Sequence, residues 1–336
     1  MRKESVPVFK DILSSPLGHG PLDIQDNRLI CIGDGKEYEV VNNIPMLFEH
    51  LDSNTNLEKT TDLVRGFYEE TPFPNYDSYD GIETFFEKAN RSLFARLLNE
   101  QIPDHSLVLD VGCGTGQFSN YLGIKLNRTV IGCAMCMNSL ILAEKFRNEN
   151  SIDNAHFLHA NLFTPPLKDD MFDFVYSIGA LHHTPDPQAG FRRISRLVKS
   201  VGHIILGLYN FYGRAPTKIR KLIYDNFNAD FLYKLDRQLK ERKESGSRFN
   251  AWFRDQYTHP YESSHTADEV LRWFSNNNFR YISSVPYFNG EYIQETDNLF
   301  KPQPQRTFLS RLITQLEMIF NSQGEGGVFI MIGQKV

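Results

Sequence analysis

LVLDVGCGTGQFSNYL, residues 107–122, decides how this chain is read. The apolar run from Leu107 to Val111 predicts a strand. Gly112, Gly114 and Gly116 follow, and helical character resumes near Gln117. Glycines let the backbone turn sharply and approach a ligand with no Cβ in the way. A strand, a glycine loop and a helix in that order predict an α/β sheet that holds a ligand at the strand's carboxyl end. The third glycine comes one residue early for G-x-G-x-x-G, so neither a nicotinamide nor a flavin dinucleotide is favoured.

Outward from this loop, four more apolar runs alternate with helical segments: TVIGCA, AHFLHA, FDFVYSI and GHIILGLY. Continuous apolar runs suit strands buried on both faces, and their alternation with helices predicts parallel βαβ units. YISSVPYF and GGVFIMIGQKV supply two closing strands, with TADEVLRWFSNNNF before them as a helix carrying a threonine cap. Upstream, residues 82–100 space Phe85, Phe86, Leu93, Phe94, Leu97 and Leu98 as one amphipathic helix. Residues 51–62 are polar and read as a linker. RLICIG and KEYEVV, joined by a GDG turn, predict a small β module within residues 1–50. Residues 63–336 form the second unit, with a polar, helix-rich cap at about 210–260.

DVGCGTG in this setting resembles the cofactor loop of the Rossmann-like, class I S-adenosylmethionine-dependent methyltransferases. The resemblance is good over roughly residues 65–210 and looser beyond. It implies a mostly parallel seven-stranded sheet and S-adenosylmethionine as cofactor. Asp110, Gly112, Cys113, Gly114 and Gly116 would lie along its methionyl part, Asn161 and Leu162 would meet adenine, and Ile178, Gly179 and His182 would line the sulfonium side. Two departures stand out. Asn161 replaces a frequent aspartate, though its carbonyl oxygen still accepts. In VIGCAMCMNSL, residues 130–140, the ribose acid expected at the strand end is missing, and Ala134 and Met135 occupy its place. Loss of such a charge-assisted contact, worth about 1.5–3 kcal/mol, weakens a site by roughly one to two orders of magnitude without abolishing it. A backbone amide or Asn138 can substitute.

Other residues invite roles. His182 and His183 follow the fourth strand of the run, where a histidine can serve as general base or simply pack. WFRDQYTHPYESSHT, at the end of the cap, suggests a substrate-facing wall, with Tyr257 and His259 as candidates for substrate contact. FYEETPFPNY, residues 67–76, can close over the cofactor as an aromatic lid or pack on its own helix. No metal is expected. Cys133 and Cys136 form an isolated C-x-x-C better suited to packing, and His259, Glu262 and His265 have no familiar ligand spacing. The first 50 residues resemble a short zinc-ribbon module that accompanies some methyltransferases, but only Cys31 remains. One thiolate and His19 cannot build a tetrahedral zinc site, which leaves a metal-free remnant that packs on the catalytic unit or a partner.

The bulk composition sets outer limits. The chain has 336 residues, 41% of them hydrophobic, and a net charge of -5, which supports a large core and argues against nucleic acid as the main partner. The basic tract KIRKLIYDNFNADFLYKLDRQLKERK keeps an RNA or membrane contact open, against an ordinary solvated face. MRKESVPVFKDILSSPLG has no leader-like apolar run and no window is long enough to span a bilayer, so a cytoplasmic location is expected. The predicted activity is methyl transfer to a small or medium-sized, partly apolar metabolite. An RNA-modifying methyltransferase and an inactive methyltransferase-fold scaffold remain the alternatives.

Overall fold

A computed structural model describes residues 10–50 except 19 and 27, 55–76 except 75, 81–226 except 126, 252–321 and 327–336. After a short 3₁₀ turn at Lys10–Ile12, strands β1 (Leu22–Gln25), β2 (Arg28–Cys31), β3 (Glu37–Val41) and β4 (Ile44–Pro45) pair antiparallel in that order. The GDG turn forms: Asp34 Oδ1 accepts from the Lys36 N–H at 3.0 Å, and the Gly35 N–H donates to the Cys31 carbonyl at 2.9 Å. Asn42 and Asn43, both at positive φ, make the two-residue turn into β4, a geometry whose twist matches paired strands.

This small sheet shares its core with the rest of the chain. Leu29, Cys31, Tyr38 and Leu47 pack in one apolar cluster with Leu158 and Leu167. The Leu47 N–H donates to the His159 carbonyl and the Ser14 N–H to the Pro166 carbonyl, both at 3.0 Å. Cys31 is buried in that cluster, and His19 lies outside the described residues.

Two expectations are corrected in the segment that follows. The predicted linker over 51–62 turns helical in its second half, where α1 (Asn56–Glu70) begins. Thr55 Oγ1 accepts from the Glu58 N–H at 3.2 Å and caps it, while Thr61 and Val64 are buried; one narrow buried stripe is enough to hold a polar helix. The single helix predicted over 82–100 is two, α2 (Ile82–Asn90) and α3 (Leu93–Gln101). Ser92 is extended and its Oγ accepts from the Ala95 N–H, so it starts a new helix where the apolar spacing alone runs on.

The main unit continues β5 (Leu107–Val111), α4 (Gln117–Gly123), β6 (Thr129–Ala134), α5 (Met137–Glu149), β7 (Ala155–His159), β8 (Phe172–Ile178), α6 (Pro187–Ser195), β9 (Val198–Tyr209), α7 (Ala215–Asn226), α8 (Ala267–Asn276), β10 (Phe279–Val285), α9 (Phe308–Asn321) and β11 (Val328–Lys335). The seven-stranded sheet runs β10-β11-β9-β8-β5-β6-β7. It is mostly parallel, as predicted: β11 alone in this sheet runs antiparallel to its neighbours β9 and β10. The strands are mostly apolar because both faces are covered, and two separate apolar clusters result. From β5 the chain winds to β6 and β7 on one side, then crosses to β8 and β9 on the other. The crevice at that reversal, at the carboxyl ends of β5 and β8, is where open α/β sheets bind ligands.

A π-helical turn at Arg254–Thr258 brings Asp255 and Gln256 to the crevice, and α7 packs on that turn. Residues 227–251, about half of the predicted cap and most of its basic tract, lie outside the described residues. Among the described residues no helix is long and apolar enough to cross a membrane. Helix α9 was not anticipated.

Candidate active site

A cavity of about 640 Å³ opens at the carboxyl ends of β5, β6 and β8, within the size range of small-molecule sites. Its floor is the glycine loop. The Gly112 and Cys113 N–H groups both donate to the Cys133 carbonyl, at 2.8 and 3.1 Å, which ties the loop to the end of β6. Gly112 has φ +78°, and a Cβ there would strike the Cβ of Ala180. Gly114 has φ +54°, and a Cβ there would strike the Phe73 carbonyl oxygen. Both positions therefore need glycine for conformation and for space. Gly116 caps α4 and backs onto Phe157 and Ala143, outside the cavity.

Asp110 closes the floor. It is buried, and its Oδ2 accepts from Ser119 Oγ at 2.7 Å. Burial drives its carboxyl up to about 7, with the Ser119 hydroxyl partly opposing. Cys113, Cys133 and Cys136 are buried free thiols. Burial pushes Cys133 and Cys136 up to about 12 and holds Cys113 well above the usual thiol value, so they stay protonated small hydrophobes.

Ala134, Met135, Cys136 and Ser139 line the cavity where a ribose acid is absent. Directly behind them stands a carboxylate that the sequence reading did not single out. Cys136, at the N-cap of α5, makes no side-chain cap. Instead Glu69 of α1 accepts from the Met137 N–H at 2.7 Å and the Asn138 N–H at 3.0 Å. Asn138, the suggested substitute for the acid, turns its amide back to the Glu69 carbonyl at 3.0 Å. Asn161, Leu162 and Ile178 also line the cavity. The amide of Asn161 is committed on both sides: its oxygen accepts from the Phe163 N–H at 3.0 Å and its nitrogen donates to the Glu49 carbonyl at 3.2 Å.

The segment after α1 lies over the glycine loop. Thr115 Oγ1 donates to the Pro74 carbonyl, and Tyr76 Oη donates to the Thr115 carbonyl at 2.9 Å. Tyr68, Phe73 and Pro74 reach the cavity. Tyr76 instead stacks on Phe146, centroids 4.2 Å apart, and Phe67 packs edge-on against His259 at 4.9 Å.

The far wall comes from the turn after β8 and from the cap. His182, His183, Tyr209, Trp252, Asp255 and Gln256 line it. His182 is fully buried, stacked 3.9 Å from Tyr209, and its Nδ1 accepts from the Tyr209 N–H at 3.3 Å. That bond assigns the proton to Nε2, which has no hydrogen-bond partner among the described residues. Burial, then the neighbouring His183, holds the ring well below its usual pKa, so it stays neutral and offers an N–H. His259 lies behind His183, ring centroids 3.8 Å apart. Tyr257 does not line the cavity; it packs with Trp252, Tyr224 and Phe253 inside the cap.

The wall is held by a buried ion pair. Arg214 donates to Glu262 through Nη2 at 2.7 Å and Nε at 3.3 Å, and through Nη1 to Gln256 at 2.6 Å, with its guanidinium 3.7 Å over the Tyr209 ring. Burial alone would raise the Glu262 carboxyl, but the bonds and charge of Arg214 together outweigh it and hold it low. Glu262 is thus engaged, and so is His265, between Ser263 and Glu269 at 2.9 Å each.

The fold is that of the Rossmann-like α/β methyltransferases, and residues 109–206 match the family model of a methyltransferase domain. The chain is similar to the methyltransferase GfsG of Streptomyces halstedii, 27% identical over 154 residues, 44% of this chain and 54% of that protein. It is 26% identical over 140 residues to the O-methyltransferase rstn1 of Aspergillus nomiae, 41% of this chain and 61% of that one. Among solved structures it resembles PKMT2 from Rickettsia typhi in complex with AdoHcy, with a TM-score of 0.50 and 14% identity over 72% of this chain and 52% of that one. The chain spans about half the length of the curated relatives it matches.

Proposed function

We propose that this protein transfers a methyl group from S-adenosylmethionine to a nucleophilic atom of a small or medium-sized, partly apolar metabolite. One observation carries the reading: a single cavity joins the glycine floor at Asp110, Gly112 and Gly114 to a histidine- and aromatic-rich wall under the cap. The fit of the cofactor rests on the residues present. The two glycines leave backbone where a Cβ would collide. Asp110 is a buried acid raised by desolvation, and a cationic amino group is the partner that would restore its charge.

S-adenosylmethionine supplies an electrophilic methyl group on a sulfonium. Asp110 and the glycine loop hold the methionyl part, and Ala134, Met135, Asn161 and Leu162 form the nucleoside side, with the apolar contacts of that pocket offsetting the missing ribose acid. On the opposite wall the His182 Nε2–H is a fixed donor that orients the acceptor, and Tyr68, Phe73 and Trp252 exclude water. Holding two reactants in line is itself a large share of the rate in such reactions. The volume favours a compact acceptor over a folded RNA.

Calorimetric titration with S-adenosylhomocysteine tests this, alongside the variant Ala134→Asp. Wild-type binding in the micromolar range, tightened about tenfold by the new acid, is the expected result. Absence of heat in both proteins overturns it.

A further inference from the structure

Asp255 lines the cavity and is only 4% exposed. Both of its oxygens accept from neutral donors, Oδ1 from Tyr68 Oη at 2.8 Å and Oδ2 from Gln256 Nε2 at 3.0 Å. Among the described residues no Lys or Arg forms an ion pair with it: Arg214 pairs with Glu262, and Arg254 with Glu70. A buried carboxylate in that position lacks a counter-charge. We propose that Asp255, together with His183, binds a protonated primary or secondary amine, and that the methyl acceptor is a molecule carrying such a group.

A carboxylate oxygen has about two acceptor sites, so each oxygen of Asp255 keeps one. His183 supplies a further acceptor. Its Nδ1 donates to the Tyr261 carbonyl at 3.1 Å, which leaves the lone pair on Nε2. Burial keeps this ring neutral, and it lines the cavity as well. One ring nitrogen of His183 and one oxygen of Asp255 lie within 4.8 Å of each other. A single nitrogen that donates two bonds of about 2.8 Å at a tetrahedral angle bridges acceptors roughly 4.6 Å apart. Two acceptors so placed suit a cation rich in N–H and repel a carboxylate or phosphate. His259 keeps its proton on Nε2, because Nδ1 accepts from the Tyr261 N–H at 3.2 Å. It stands behind His183 without lining the cavity, so it supports the wall and does not touch the ligand.

The rest of the lining points to the same class. Among the described residues the charged groups that line the cavity are Lys88, Asp110 and Asp255, since burial keeps His182 and His183 neutral. Two buried acids thus face one space. Asp110 answers the amino group of the cofactor in the proposed reaction, which leaves Asp255 for a second cation. Tyr68, Phe73, Tyr209 and Trp252 line the same space, and aromatic rings favour a desolvated cation. An amine on an apolar stem meets both the charge and the rings. The His182 Nε2–H, a donor, serves a different atom of that molecule. That the bound amine is the methyl acceptor rests on the methyl-transfer reading, whereas the ammonium site itself does not.

Calorimetric titration of the full chain at neutral pH with 2-phenylethylamine, 2-phenylethanol and 3-phenylpropionate tests the site. The amine should bind at least tenfold more tightly than the alcohol, as one charge-assisted bond requires, and the acid should bind most weakly. Asp255→Asn, checked for folding by circular dichroism, should bring the amine down to the level of the alcohol. His183→Phe, which keeps a ring but removes the acceptor, should weaken the amine about tenfold. Should Asp255→Asn not fold, the wild-type series and His183→Phe decide alone. Absence of amine binding, equal binding of amine and alcohol, tighter binding of the acid, an undiminished preference in Asp255→Asn, or unchanged amine affinity in His183→Phe overturns the site. Displacement of the amine by S-adenosylhomocysteine overturns it too, because the amine would then sit at Asp110. The first titrations contain no cofactor, so their failure leaves the S-adenosylhomocysteine titration untouched, and the reverse.

Discussion

Glu69 caps helix α5 from another helix: its carboxylate accepts from the Met137 N–H at 2.7 Å, and from that of Asn138 at 3.0 Å. The turn that carries Ala134 and Met135 is thereby pinned to α1, and Cys136 Sγ adds a weak contact to the Arg65 carbonyl at 3.5 Å. Glu69→Gln keeps the length but removes the charge and one of the two acceptors. The expected cost is about 1–2 kcal/mol of stability, from the lost cap and the lost charge at a helix N-terminus. Urea unfolding measures it. Weaker S-adenosylhomocysteine binding should accompany it, since the turn lines the cavity.

Asp110 should make S-adenosylhomocysteine binding pH-dependent if it is the amine partner proposed above. Burial lifts its folded-state carboxyl to about 7, above the unfolded value near 4. For an acid raised on folding, the neutral form is the favoured one. The folded state is therefore penalised progressively as pH rises from about 4 to 7, and fully above 7. A ligand with an ammonium group needs the ionised form. Affinity for S-adenosylhomocysteine should fall about tenfold per pH unit below 7, and should fall again above pH 8 as the ligand's own amine loses its proton. Titrations from pH 5.5 to 9 check this, and Asp110→Asn should remove the acid limb. A flat profile below 7 would count against Asp110 as the amine partner.

Arg214 and Glu262 stand or fall together. Arg214→Met strands a buried carboxylate and should cost about 3–5 kcal/mol, while Arg214→Met with Glu262→Gln should recover a large part of it. Because Arg214 also holds Gln256, which holds Asp255, the double variant should remain folded yet lose affinity for the acceptor. Thermal unfolding of the wild type, Arg214→Met, Glu262→Gln and the double variant gives the coupling.

Gly112→Ala carries two penalties, a left-handed backbone costing about 1–2 kcal/mol and a collision with Ala180. Adding Ala180→Gly should relieve the collision and leave the backbone cost. If the double variant is no more stable than the single one by differential scanning calorimetry, the close approach is not what demands glycine at Gly112.

Much of the fold is written locally. The apolar runs of β5, β6, β8 and β9 identify themselves because strands covered on both faces carry few polar side chains, and DVGCGTG marks the floor because glycine enters left-handed conformations freely and brings no Cβ into a close approach. Asp110, Ala134, Asn161, Leu162 and Ile178 follow from their places at strand ends. Local pattern also misleads: the apolar spacing over 82–100 passes through Ser92 unbroken, and only the serine's capping bond shows that one helix has ended and another begun.

Other features belong to tertiary structure alone. No spacing links Glu69 to Met137, or His183 to Asp255 and His259, because the sheet and the cap bring these segments together after the chain has crossed the β5–β8 reversal. Tyr257 and His259 sit two residues apart and share one chemical description in the sequence, yet one packs into the cap and the other against His183. The sequence by itself determined a mostly parallel sheet with a glycine loop at the cavity floor, since that depends on burial and backbone conformation at successive residues. Which polar groups face one another across the cavity was decided by packing, since hydrogen bonds and ion pairs form between whatever atoms the folded elements bring within about 3 Å.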